Sequence, residues 1–345
     1  MIIDVHAHLS PPSSAQRYPM PASLTDVDAM LAARAEAGID LTVIGSPVGA
    51  GAMMRVPGVD NYAQSRDRLR AFHDWMAGLI GRFPDQLRGY VYANPLGDEN
   101  HLDGVRETLD NPAFAGFVIN SSVRGRFLDD PAADAFFAMA AESGRPVLVH
   151  PPAEPAGAAA VADLRFVEQV SRFCDVTAGL AMLAFAGWLD RYPELTVIGA
   201  TGGGAIAALP EKLDLAAAPR PGATAGPPPG VTARPRPGVA AGSRPGAAAA
   251  PRPGAAAAPR PGAAARRLFV DTATPSAAHL RMNVAVLGAG QVLLGTDSPP
   301  VPVPPAAAVA RVRALPIDPA EVEAILGGTA ARLFGLQPAV PGGVR

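Results

Sequence analysis

Four residues of metal-binding type stand at three separated places in the chain. His6 and His8 lie two apart in Asp4-Val5-His6-Ala7-His8, and His150 closes the run Val147-Leu148-Val149-His150. Asp297 sits in Gly295-Thr296-Asp297-Ser298-Pro299. In extended chain, residues i and i+2 face the same way, so the first two imidazoles can reach one ion. Three imidazoles and one carboxylate suit a single divalent ion, with Zn²⁺ the first expectation and Mn²⁺, Fe²⁺ or Co²⁺ also compatible. Each element alone has a plainer reading. A His-x-His pair or a lone strand-end histidine can be a satisfied polar residue, and Gly-Thr-Asp-Ser-Pro is a good turn by itself. The case rests on joint placement. His73, His101 and His279 fall within or beside helical patterns and read as surface or packing residues.

Positioning those four side chains requires a repeating framework. Short β-branched runs occur at 2–5, 41–45, 88–92, 116–119, 146–149, 195–199, 268–271 and 292–295, which makes eight. Amphipathic stretches lie between them, at 26–37, 60–82, 102–109, 132–142, 162–172 with 178–191, 205–215 and 276–287. Gly38 and Gly144 stand at expected helix ends, and Pro84 and Pro193 stop helices. Alternation with short links predicts parallel strands, and eight repeats predict an α/β fold of the (β/α)8-barrel (TIM barrel) type. An open doubly wound sheet would prefer a Gly-rich phosphate loop after its first strand, where this chain has His6-Ala7-His8. In a barrel, functional residues sit just past the C-terminal ends of strands. His6 and His8 follow strand one, His150 ends strand five, and Asp297 follows strand eight.

The 345 residues carry 49% hydrophobic residues and a formal net charge of −2, so nothing favours nucleic acid or an anionic membrane as partner. Cys174 is the only cysteine, which rules out an internal disulfide. The N-terminus lacks the basic and apolar regions of a signal peptide, and no apolar run is long enough to span a bilayer. A soluble cytoplasmic protein with a small-molecule substrate is expected. A single domain over 1–345 is predicted, interrupted between strands six and seven by a low-complexity insert at 216–265. That stretch contains only Ala, Pro, Gly, Arg, Val, Thr and Ser, and its Arg-Pro-Gly unit recurs every eight residues, at Arg236, Arg244, Arg252 and Arg260. Its Pro and Gly recur too often for a helix or strand, so a disordered surface expansion is expected.

Asp-Val-His-Ala-His resembles the opening signature of the amidohydrolase superfamily. The middle of the chain, from Gly116-Phe117-Val118-Ile119-Asn120 through Phe127-Leu128-Asp129-Asp130-Pro131 to His150-Pro151-Pro152, resembles its amidohydrolase-related branch. So do Leu293–Pro299 and the segment from Ile325 to Gly335. That branch includes aminocarboxymuconate-semialdehyde decarboxylase and resorcylate-type decarboxylases, and its members are often dimeric, so a homodimer is compatible. The resemblance implies that His6, His8, His150 and Asp297 are metal ligands. Many superfamily members carry a strand-four lysine that bridges two metals. Here strand four ends at Asn120, and Lys212 is the chain's sole lysine, so one metal is expected. The branch places a histidine after strand six. This chain reads Ala200-Thr201-Gly202-Gly203-Gly204, with Thr201 in that position.

Threonine cannot act as a base near neutral pH, though it can donate or accept a hydrogen bond. Asp297 and Thr201 are therefore the candidate catalytic residues. Gly202 and Gly203 could present backbone N–H groups to a substrate carboxylate, or simply form a tight turn. Arg124 and Arg126, past strand four, could bind a carboxylate, or be ordinary loop arginines. Three functions stay open: a metal-dependent decarboxylase of a small unsaturated or aromatic acid, a mononuclear hydrolase of an amide, lactone or ester, and a catalytically impaired relative.

Overall fold

Eight parallel strands alternate with helices in the computed structural model, which describes residues 1–217 and 260–336. The strands are β1 (Ile3–His8), β2 (Leu41–Gly45), β3 (Leu87–Tyr92), β4 (Phe114–Asn120), β5 (Val147–His150), β6 (Val197–Gly199), β7 (Phe269–Asp271) and β8 (Val292–Leu293). Each pairs with the next in chain order. The ring closes between β8 and β1 through Val5 N–H to the Leu294 carbonyl at 2.9 Å and Asp297 N–H to the His6 carbonyl at 2.7 Å. This is the expected (β/α)8 barrel. One short hairpin, Ser122–Val123 with Arg126–Phe127, follows β4 and was not foreseen.

Local chemistry explains the helix ends. Asp26, Ser65 and Asp98 each accept a backbone N–H of the first turn that follows, and so cap helices Val27–Ala37, Arg66–Arg82 and Glu99–Leu109. Gly38 and Gly144 close helices in the left-handed conformation expected of them.

Strand alternation divides the core in two. Val43, Tyr90, Val118, Leu148, Ile198 and Leu293 pack together inside the barrel. Their neighbours Ile44, Val91, Phe117, Val149 and Val197 face outward, with helix residues such as Phe72, Met76, Phe136 and Leu180. β1 breaks this rule once. Ile3 and Val5 pack inside, but so would Ala7 and Leu9 by strict alternation, and those two pack outside. Its register against β2 shifts between Asp4 and Ala7, giving β1 one extra residue. The bulge lets His6 and His8 face inward although Val5 also does.

The low-complexity segment ends earlier than its composition suggests. Residues 218–259 lie outside the described residues, as does the expectation of disorder there. Pro261–Ala265, assigned to the insert from sequence, forms a helical turn with Pro261, Gly262, Ala264 and Ala265 buried. Gly262 N–H donates to Asp214 Oδ1 at 2.9 Å, and a Cβ on Gly262 would stand 2.1 Å from the Pro210 carbonyl oxygen, so only glycine fits.

Candidate metal centre

The bulged β1, the end of β5 and the turn after β8 bring His6, His8, His150 and Asp297 together. One ligand atom from each lies within 4.8 Å of the others. The three rings are mutually perpendicular, with interplanar angles of 87°, 85° and 89° and centroids 4.9 to 5.0 Å apart. The three imidazoles are buried, while the Asp297 side chain is 21% exposed. Asp297 is therefore the one ligand candidate that opens toward the barrel mouth.

Hydrogen bonds on the far side of each ring fix what it presents. His6 Nδ1 lies 2.5 Å from Asp271 Oδ2, His8 Nδ1 lies 3.0 Å from the Gly45 carbonyl, and His150 Nδ1 lies 2.8 Å from the Pro151 carbonyl. All three partners are acceptors, so each Nδ1 carries a proton and each Nε2 is the atom turned to the centre, able to give its lone pair to an ion once His6 yields the second proton it holds in the metal-free protein. Asp297 Oδ1 lies 3.0 Å from His8 Nε2 and 3.5 Å from His6 Nε2, and the two Nε2 atoms are 3.1 Å apart. His150 Nε2 is buried with no partner among the described residues. A buried imidazole nitrogen left without a partner is costly unless a cation satisfies it, and this donor set fits one divalent ion.

Electrostatics agree. Burial opposes charge on His6, but Asp297 and Asp271 outweigh it and raise the imidazole to about 9 in the metal-free protein. Burial, reinforced by His8 and His6, pushes His150 well below the ordinary histidine range. Burial would raise Asp297, yet the facing His6 and His8 hold it below the usual carboxylate range.

Several positioning residues escaped the sequence reading. Asp271, at the end of β7, is wholly buried and holds His6 with one oxygen while the other accepts Gly202 N–H at 2.7 Å and Ala273 N–H at 3.0 Å. Gly295 leaves room for that pair, since a Cβ there would stand 2.8 Å from Asp271 Cβ and 3.0 Å from His6 Cβ. Asn120 is paired in register with His150, and alternation turns it inward beside the cluster; its Nδ2 is buried without a partner among the described residues. Asp175, buried under the loop after β5, accepts Ser121 Oγ at 2.5 Å, Ser122 Oγ at 2.9 Å and Ala156 N–H at 2.6 Å. An acid at the C-terminal end of a barrel strand was the available signal for Asp271.

Thr201 follows β6 as expected, with φ of 56°, and Gly202, Gly203 and Gly204 share the left-handed region at 66°, 71° and 57°. For a β-branched residue this is an outlier. The expectation that Gly202 and Gly203 offer N–H donors to a substrate is not met. Gly202 N–H is taken by Asp271, Gly203 N–H by the Ala200 carbonyl at 2.9 Å, and Gly204 N–H by the Thr201 carbonyl at 3.2 Å. The segment is a tight turn, not the first turn of a helix.

Neither arginine joins the cluster. Arg124 pairs with Asp60 at 2.5 Å, stacks over Tyr62, and lines a cavity of about 460 Å³ between the loops after β2, β4 and β5. Arg126 is exposed on the hairpin and pairs with Asp130 at 2.6 Å. The remaining histidines pack, as expected: His73 and His101 accept the N–H groups of Tyr92 and Asn94, and His279 contacts Thr274.

A family model described as amidohydrolase matches residues 3–336. The chain belongs to the amidohydrolase family. Its fold is shared by 5-carboxyvanillate decarboxylase from Sphingomonas paucimobilis, at 19% identity and a TM-score of 0.71, over 97% of this chain and 99% of that one. It is shared by 2,6-dihydroxybenzoate decarboxylase from Rhizobium, at 16% identity and a TM-score of 0.69, over 97% and 98%. A dihydroxybenzoic acid decarboxylase from Polaromonas sp. JS666, with bound manganese and the inhibitor 2-nitroresorcinol, matches at 16% identity and a TM-score of 0.70, over 98% of each chain. No curated protein matches the chain. Among the described residues, no helix is long and apolar enough to cross a membrane.

Proposed function

We propose that this amidohydrolase is a metal-dependent decarboxylase of a small aromatic or unsaturated carboxylic acid. The observation that carries the metal is the convergence of three Nε2 atoms and one carboxylate oxygen, with the buried Nε2 of His150 left unpartnered among the described residues. The choice of decarboxylation rests on the aromatic-acid decarboxylases that share its fold. His6, His8, His150 and Asp297 would hold one divalent ion. Manganese, bound in a relative, is the first to test, and zinc suits the same donors. When bound, such an ion supplies Lewis acidity that stabilises negative charge developing at the substrate.

The chain's own groups then have distinct tasks. Asp271 and the Gly45 and Pro151 carbonyls keep the three rings aimed. Asn120 Nδ2 would donate to a substrate oxygen. Asp297, partly exposed at the mouth, is the group placed to carry a proton to the carbon that loses CO₂. Thr201 can offer only a hydrogen bond. Arg124 would meet a second carboxylate at the rim once released from Asp60. The exposure of Asp297 equally favours a hydrolytic reading, in which it accepts a proton from water attacking an amide, lactone or ester.

The test is to load the protein with Mn²⁺ or Zn²⁺ and follow CO₂ release from 2,6-dihydroxybenzoate, 5-carboxyvanillate and related acids, with ester and lactone hydrolysis in parallel. CO₂ release abolished in His150→Gln and Asp297→Asn supports the proposal. Hydrolysis without CO₂ release supports the second reading. Stoichiometric metal with neither activity, restored by Thr201→His, marks an impaired relative.

A further inference from the structure

The metal candidates lie on both sides of the barrel's closing seam, with His6 and His8 on β1 and Asp297 just past β8. That seam has few backbone hydrogen bonds. Side chains on its outer surface supply the rest. Asp4 points away from the barrel interior, between the inward Ile3 and Val5, and is wholly buried. Its Oδ1 accepts two backbone N–H groups, that of His6 at 3.1 Å and that of Thr296 at 3.0 Å. Its Oδ2 accepts the Thr296 hydroxyl at 2.7 Å and Arg34 Nη2 at 2.9 Å. Arg34, on helix Val27–Ala37, is also buried, and Nη2 reaches Thr296 Oγ1 at 3.2 Å and the Ser298 carbonyl. Both neighbours of Asp297 are thus tied to the same ion pair, and Asp297 between them is held at φ of 54°. One carboxylate fixes the backbone of a histidine on one strand and of the aspartate on another.

We propose that Asp4, Arg34 and Thr296 form a seam clamp that sets the position of Asp297 relative to His6, and so sets metal affinity. They are positioning residues, since none reaches the cluster itself. A buried ion pair is weak evidence for stability, because desolvation consumes most of its attraction. Its value here is geometric: it dictates where a carboxylate sits to within a fraction of an ångström, as groups behind metal ligands do elsewhere. This rests on the metal-centre reading and not on any substrate.

The test measures Mn²⁺ affinity by calorimetry and the visible spectrum of the Co²⁺-loaded protein in Arg34→Lys, Thr296→Val and the double variant. Thr296→Val removes the hydroxyl's contacts with Asp4 and Arg34, and the bond it accepts from Ser298 N–H, without stranding a buried charge, so it decides the matter if Arg34→Lys does not fold. Leu183→Val, a core change far from the seam, serves as a control for general destabilisation. The clamp predicts about 10- to 100-fold weaker Mn²⁺ binding, an altered Co²⁺ spectrum, and less than additive loss in the double variant, with the control unchanged. Wild-type affinity and spectrum in both single variants would overturn the clamp alone. Absence of Mn²⁺ binding by the wild-type protein would overturn the metal centre and the clamp with it.

Discussion

His6 stands between two carboxylates, and that sets its proton chemistry before any ion arrives. Asp271 holds Nδ1 and Asp297 faces Nε2, so against the pull of burial the ring rises to about 9. The folded chain then keeps a proton that the unfolded chain loses near 6.5. Stability from this pairing is complete below about pH 6.5 and is lost as pH rises through 9, at about 1.4 kcal/mol per unit. A cation must displace that proton, so binding near pH 7.5 should release about one proton and tighten roughly tenfold per pH unit up to about 9. Calorimetry in buffers of different ionisation enthalpy reads the count, and a count of zero sinks the assignment. Asp271→Asn should lower the His6 pKa, reduce proton release and weaken metal binding about 10- to 100-fold. Residue types and strand positions made His6, His8, His150 and Asp297 legible in the sequence. Asp4 and Arg34 were not, because a polar residue inside a strand or helix gives no sign of which distant group it will meet; Asp271 carried only its place at a strand end as a signal.

Elements carry information that single residues lack. Counting by twos from Ile3 turns His6 and His8 outward; the extra residue in β1 corrects this, and it is visible only in the register against β2. Helix Pro305–Arg313 was missed for a related reason: Pro-Ala-Ala-Ala-Val-Ala offers little contrast between its faces. His73 shows how a helix is tied to its strand. From helix Arg66–Arg82 its Nε2 accepts Tyr92 N–H at 3.0 Å, closing a backbone donor past the reach of β2. Burial, with His101 nearby, lowers it to about 3. The folded value lies below the unfolded one, so this contribution is present above about pH 6.5 and is lost as pH falls toward 3. Urea unfolding of the metal-free protein between pH 6.5 and 4.5 should therefore lose stability. In His73→Phe the slope should fall by about 1.4 kcal/mol per pH unit. An identical slope in both proteins would show that His73 takes up its proton without unfolding.

At the scale of the molecule, the eightfold repeat was legible because strand, helix and turn signals agree around the ring. The exit from the low-complexity segment was not. Arg260-Pro261-Gly262-Ala263-Ala264-Ala265 repeats the unit before it, and composition cannot say which copy meets a partner. The copy that packs does so through geometry: Pro261 suits the first turn of a helix, Gly262 fits against the Pro210 carbonyl, and Arg266 pairs with Glu211. Helices Pro210–Ala217 and Pro261–Ala265 thus bind each other directly. Replacing residues 219–258 with a linker of about six Gly and Ser residues should leave the barrel and its metal centre intact. A shorter connection costs less to close, so stability should rise by about 1–2 kcal/mol. Thermal unfolding and Mn²⁺ stoichiometry of the shortened chain measure both. A lower melting temperature or lost metal would mean that the segment packs on the barrel and belongs to its core.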